Sequence, residues 1–176
     1  MSNRFLIIGY GNPGRMDDGL GPALAERLGQ LGVPGITVDA DYQLTIEDAA
    51  SVAAHDVVIF ADASVSVPPP FEFKAVEPAD HLSFSSHSLE PAAVLALARQ
   101  MFDAKTKAFT LAIRGYEFEQ FGENLTAAAE RNLEAAVAFL KLWISACATV
   151  ASIRGNQEQE DATPTVTLKL SPENLN

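Results

Sequence analysis

The stretch Ile7-Ile8-Gly9-Tyr10-Gly11-Asn12-Pro13-Gly14-Arg15-Met16-Asp17-Asp18-Gly19-Leu20-Gly21 decides how the chain reads. Its first half is G-x-G-x-x-G after an apolar run, the pattern of a phosphate-cradling turn between a strand and a helix. Its second half places two aspartates where a helix would open. Gly14, Gly19, Gly21 and Pro22 all disfavour helix before about residue 18. The segment from Gly11 to Asp18 therefore reads as a loop with its acids at the helix mouth, where a carboxylate would take the place of an anion and repel a phosphate. Asp39, at the end of the second apolar run, is the one further match to a ribose-binding acid. A small-ligand or dinucleotide-binding module using the Gly9–Gly14 turn is the alternative reading of this stretch.

Working outward, apolar β-type runs alternate with helical periodicity. Phe5-Leu6-Ile7-Ile8 predicts a buried strand, and Leu20, Leu24 and Leu28 line one face of a helix. Ile36-Thr37-Val38 is a second strand. Thr45-Ile46-Glu47-Asp48 resembles a capping-box start for a short helix ending near Ala54. Val57-Val58-Ile59-Phe60 is continuous and apolar, as a parallel strand covered on both faces requires. After Pro68-Pro69-Pro70, the run Phe71-Glu72-Phe73-Lys74-Ala75-Val76 alternates like an edge strand. Ser88 is a candidate cap for a helix whose inner face is Val94, Leu97 and Met101, with Pro91 in its first turn. Phe109–Ile113 is a further strand, and Leu133, Val137, Leu140, Ile144 and Cys147 form the inner face of a long last helix.

The prediction is an α/β three-layer sandwich: a mostly parallel, twisted sheet of about five strands with helices on both faces. Residues 1–154 would form the single α/β domain. From Gly155 the composition turns polar, and residues 155–176 are expected to be a disordered tail. The alternation of Thr165 to Leu170 would also permit an extra strand there.

Bulk composition narrows the function. The net charge is −11, with the twelve Lys and Arg residues scattered, which argues against a nucleic-acid partner. No apolar run approaches the roughly 20 residues that span a bilayer, so no membrane association is expected. The N-terminus lacks a signal peptide's layout and Cys147 is the single cysteine, so a cytoplasmic location follows. The sequence offers no Ser-His-Asp or Cys-His constellation, and Cys147 falls on a buried helix face.

The start "GYGNPG" resembles bacterial peptidyl-tRNA hydrolases, but over one turn only. The whole of "GYGNPGRMDDGLG" resembles the G-x-G-N-x-x-x-x-D-[D or E]-G-x-G signature of the nickel–iron hydrogenase maturation endopeptidases. "VVIFADAS" is similar to that family's third strand with its aspartate, here Asp62, and "SSHSLEPAAVLALA" to its histidine-plus-helix segment, here His87. The match runs over roughly residues 5 to 148. Asp18 stands where other members often have Glu. Asp39-Ala40-Asp41-Tyr42-Gln43 lacks the glycine pair common in the family and falls where substrate would be met.

The resemblance implies an endopeptidase that removes the C-terminal extension of a hydrogenase large-subunit precursor after nickel insertion. It further implies that Asp18, Asp62 and His87 are the catalytic and metal-contacting residues, and that the nickel is carried by the substrate with no resident cofactor. Two carboxylates and an imidazole leave coordination positions open, as touching another protein's metal requires. The large-subunit precursor is the expected partner, and a monomer the expected state. Asp17 reads as a helix cap or turn former, His55 and His81 as structural or solvated. Gly9, Gly11, Gly19 and Gly21 read as packing and turn residues.

Overall fold

A computed structural model describes residues 4–80 and 89–160, with residues 150–160 described by their backbone alone. Five strands form one sheet in the order β2-β1-β3-β5-β4. They are β1 (Phe5–Tyr10), β2 (Ile36–Asp41), β3 (Val57–Ser64), β4 (Phe71–Val76) and β5 (Lys107–Arg114). Strands β2, β1, β3 and β5 are parallel, and β4 runs antiparallel on the edge beside β5.

The sequence periods explain the layers. The apolar runs of β1 and β3 are buried because helices cover both of their faces. One face packs on α1 (Leu20–Gln30) and α4 (Ala127–Glu160), where Ile7, Ile59 and Leu111 meet Leu24, Leu28, Leu133 and Leu140. The opposite face packs on α2 (Asp48–Ala53) and α3 (Pro91–Phe102), where Leu6, Ile8, Val58 and Phe60 meet Val52, Val94 and Leu95. The predicted three-layer α/β sandwich is the observed architecture. On the edge, the alternation of β4 sends Phe71 and Phe73 against Phe139, and Phe73 stacks on Phe109 at 5.0 Å between ring centroids.

Several boundaries differ from expectation. Helix α3 begins at Pro91 with Glu90 in extended conformation at its N-cap; Ser88 lies outside the described residues. Met101 is 64 % exposed rather than inward. Arg99 to Asp103 are all exposed, so the last turn of α3 has run past the surface on which Val94 and Leu97 pack. Helix α4 continues to Glu160, six residues beyond the predicted boundary at 154; residues 161–176 lie outside the described residues. Glu and Gln after Gly155 are good helix formers, so the polar change there marks lost amphipathicity rather than lost helix. At α2 the capping-box reading holds by half: the Asp48 carboxylate accepts from the Thr45 N–H at 2.7 Å, but the helix cap itself is Glu47, without a side-chain bond.

Candidate active site

The connection from β1 to β2 crosses by α1 on one face, and that from β2 to β3 crosses by α2 on the other. The strand order therefore reverses between β1 and β3. In open α/β sheets the crevice outside the carboxyl ends of two such strands is where ligands bind. A cavity of about 360 Å³ lies there, lined by Tyr10, Gly11 and Asp18 from the β1 side, Tyr42 to Leu44 after β2, Asp62 from β3, and Leu89 and Glu90 before α3.

Strand register explains part of this convergence. Gly9 pairs with Ala61, so Tyr10 and Asp62 occupy the next step on adjacent parallel strands. Ile8 and Phe60, two residues back, face α2 and α3, and strand alternation carries Tyr10 and Asp62 to the same side. The Ala63 N–H donates to Asp62 Oδ1 at 2.7 Å, and the Tyr10 hydroxyl lies beside the same carboxylate. Burial pushes the Asp62 carboxyl up to about 6; the charges of Asp18 and Glu90 push the same way, against the pull of the Ala63 and Tyr10 hydrogen bonds. Burial, then the negative charge of Asp62 and Glu90, likewise raises the Tyr10 phenol.

Asp18 reaches the cavity through the loop after β1. Gly11 takes a φ of +136°, open to glycine, and a side chain there would meet the Asp18 carbonyl. The Asn12 N–H donates to Asp18 Oδ2 at 3.0 Å, and Asn12 Oδ1 accepts from the Gly14 N–H at 2.9 Å. A 3₁₀ turn, Met16–Gly19, precedes α1. A Cβ on Gly21 would lie 2.3 Å from the Tyr10 carbonyl oxygen and 2.5 Å from that of Ala61, so glycine lets α1 approach the two strand ends closely. The packing reading of these glycines holds.

Asp17 is not the predicted cap. It is 0 % exposed, and the 3₁₀ turn has no side-chain cap bond. Its carboxylate instead accepts from the N–H groups of Tyr116, Glu117 and Thr126 and from the Thr126 hydroxyl, at 2.7 to 3.1 Å. All these donors belong to the segment between β5 and α4, and a side chain on Gly115 would press on Asp17. Nothing local in the sequence announces donors about a hundred residues away.

The dinucleotide reading finds little support in this geometry. Helix α1 opens at Leu20, beyond Gly14, with Asp17 and Asp18 in the turn before it, and the Asp39 carboxylate accepts from the N–H of the adjacent Ala40. Among the described residues no group of three or more His, Cys, Asp or Glu side chains could hold a metal ion. Glu90 thus shares the cavity without completing such a group. His87 lies outside the described residues, as does His81. His55 is structural, its Nδ1 at 2.7 Å from the Ser51 carbonyl and its Nε2 at 3.0 Å from the Thr37 hydroxyl. Cys147 packs partly buried against the core, where burial raises its thiol. No helix among the described residues is long and apolar enough to cross a membrane.

No family model and no curated protein matches the chain. Solved structures do. The nickel–iron hydrogenase maturation protease HycI of Thermococcus kodakarensis matches with a TM-score of 0.65 and 21 % identity, over 82 % of this chain and 94 % of that one. This chain has the hydrogenase maturation protease fold. The maturating endopeptidase HybD of E. coli matches with a TM-score of 0.62 and 22 % identity over 78 % and 89 % of the two chains. A hydrogenase 2 maturation peptidase from a Thaumarchaeota archaeon matches with 0.59 and 18 % over 81 % and 98 %. Within this maturation-protease fold, Asp18 and Asp62 are, among the described residues, the predicted site residues that share the cavity. Sequence reasoning missed Tyr10, although it stands between two glycines of the motif, and Glu90, which stands immediately before Pro91.

Proposed function

We propose that this protein is an endopeptidase that removes the C-terminal extension of a nickel–iron hydrogenase large-subunit precursor once nickel is in place. The observation that carries the reading is convergence: Asp18 and Asp62, from two separate stretches that resemble the same family, line one cavity at the switch point of a maturation-protease fold. His87 completes the set on the strength of the motif. These three side chains contact the nickel carried by the substrate, which anchors the scissile segment and polarises it. A carboxylate or a bound water then handles the proton. Asp62, crowded by Asp18 and Glu90, gains a counter-charge when the metal arrives.

The test is a processing assay with nickel-loaded precursor, read as precursor length by mass spectrometry. Wild type should shorten the precursor, and Asp18→Asn, Asp62→Asn and His87→Ala should each leave it full length. Removal of nickel from the precursor should also stop cleavage. Nickel affinity of the protein itself should fall as pH drops through about 6, because an ionised Asp62 and a neutral His87 are the binding forms. Cleavage by wild type that ignores nickel would remove the metal from the mechanism.

A further inference from the structure

We propose that Asp17 is a positioning residue for Asp18, acting through the segment between β5 and α4. The inference rests on the endopeptidase reading for its consequence, but on bonding for its substance. Residues 115–126 are stitched to the Asn12–Gly19 loop at successive points. The Met16 N–H donates to the Gly122 carbonyl at 2.7 Å, the Gly122 N–H to the Gly14 carbonyl at 2.9 Å, and the Asp17 N–H to the Glu117 carbonyl at 3.0 Å. Arg15 pairs with Gly122 in an isolated parallel bridge, and its guanidinium lies 5.3 Å from the centre of the Phe121 ring. At the middle of this seam sits the Asp17 carboxylate, buried, with four donors around it.

The seam fixes a backbone that would not hold itself. Met16 has a φ of +48°, in the left-handed region that side chains disfavour, so the turn needs external bonds to keep this shape. Asp18 is the next residue but one. Its own N–H is tied to the Arg15 carbonyl, and its carboxylate accepts from the Asn12 N–H. The direction in which Asp18 enters the cavity is therefore set by where Asp17 is pinned. A carboxylate serves where an amide would not, because all four partners donate and only an acceptor on both oxygens satisfies them. Thr126 couples this pin to the start of α4: its hydroxyl also lies 3.2 Å from the Ala129 N–H, a helix-capping distance.

The experiment uses Asp17→Asn, Thr126→Val and Thr126→Ser, each with two readouts below its melting temperature. The first is hydrogen exchange of the Asn12 amide, which reports whether Asp18 still holds it, with the Ile59 amide of β3 as the control. Asp17→Asn and Thr126→Val should speed Asn12 exchange by about tenfold and leave Ile59 unchanged, while Thr126→Ser should match wild type. The second is processing of nickel-loaded precursor. Asp17→Asn should lower kcat about tenfold or more with KM within about twofold, and Thr126→Val should lower it less. Unchanged Asn12 exchange in Asp17→Asn and Thr126→Val overturns the proposal whatever the activity. Faster exchange with unchanged kcat overturns the catalytic consequence. Faster exchange in a protein whose wild type cleaves nothing leaves the positioning in place and rejects the endopeptidase reading instead. Should Asp17→Asn fail to fold, the contrast between Thr126→Val and Thr126→Ser decides alone.

Discussion

Strand β3 has an aspartate at each end, and the two live in opposite surroundings. Asp56, immediately before Val57, is exposed, and the Arg4 side chain and backbone N–H hydrogen-bond to it and hold its carboxyl below the ordinary range. Asp62, near the other end, is largely buried beside Asp18 and Glu90, and burial first of all pushes it up to about 6. Among the described residues that line its cavity, the charged ones are Asp18, Asp62 and Glu90, all acids. Among the described residues, a negative charge is thus paired with a cation at the amino end of the sheet and faced by further acids at the carboxyl end. Uncompensated charge of this kind is costly to the fold and is characteristic of sites that await a ligand.

The strongest way to break the comparison is to exchange charge for amide at both ends. Asp62→Asn should fold and reduce precursor processing by at least about a hundredfold, whereas Asp56→Asn should process as wild type does. Equal processing by the two would deny the carboxyl end its special role.

The next largest effect concerns the tight approach of helix α1 at the same end. Gly21→Ala places a Cβ against two backbone carbonyls that cannot swing aside, and should cost about 3 kcal/mol in urea unfolding. A cost within experimental error would mean that α1 is free to shift and that the carboxyl end is not rigidly framed.

The pH dependence of stability sharpens the contrast between the two acids. Asp62 has a folded pKa of about 6, above the ordinary carboxylate value of 3.8, so the folded state holds its proton more tightly than the unfolded state does. Its contribution to stability is full below about 4 and declines as pH rises through about 6. Asp62→Asn, which cannot ionise, should therefore gain on wild type across that window, by on the order of 2 kcal/mol near pH 8. A constant difference from pH 4 to 8 would show that Asp62 ionises as readily in the fold as out of it.

Asp56 should show the smallest effect, with the opposite sign. Its folded pKa is depressed, so its contribution is present above the ordinary carboxylate value and is lost as pH falls through the folded one. Because both partners are exposed, Asp56→Asn should cost no more than about 1 kcal/mol at neutral pH, and less in high salt. Thermal melts at two salt concentrations check this.

Adjacent residues show where sequence reading stopped. Asp17 and Asp18 are chemically identical and both precede the first helix, yet one lies buried under four donors and the other lines the cavity. The donors to Asp17 come from Tyr116, Glu117 and Thr126, and no local pattern distinguishes an aspartate that will meet them. Met101 fails for a related reason. Its spacing continues the inner face of α3, but periodicity does not say how far the covering surface extends. Leu20, Leu24 and Leu28, on the same kind of evidence, are all buried, because α1 lies along the sheet for its whole length.

The alternation of strands and helices, the three-layer α/β architecture, the loop character of Gly11 to Asp18 and the acids worth watching were all legible in the chain's residues. These follow from local rules: apolar period, glycine and proline conformation, and the types of side chain that carry charge. That Asp18 and Asp62 share a cavity, that Tyr10 and Glu90 join them, and that Asp17 is buried under four donors emerges from the folded arrangement alone. The reason is that strand order and register place residues far apart in the chain side by side. Burial then sets the electrostatics of whatever has been brought together.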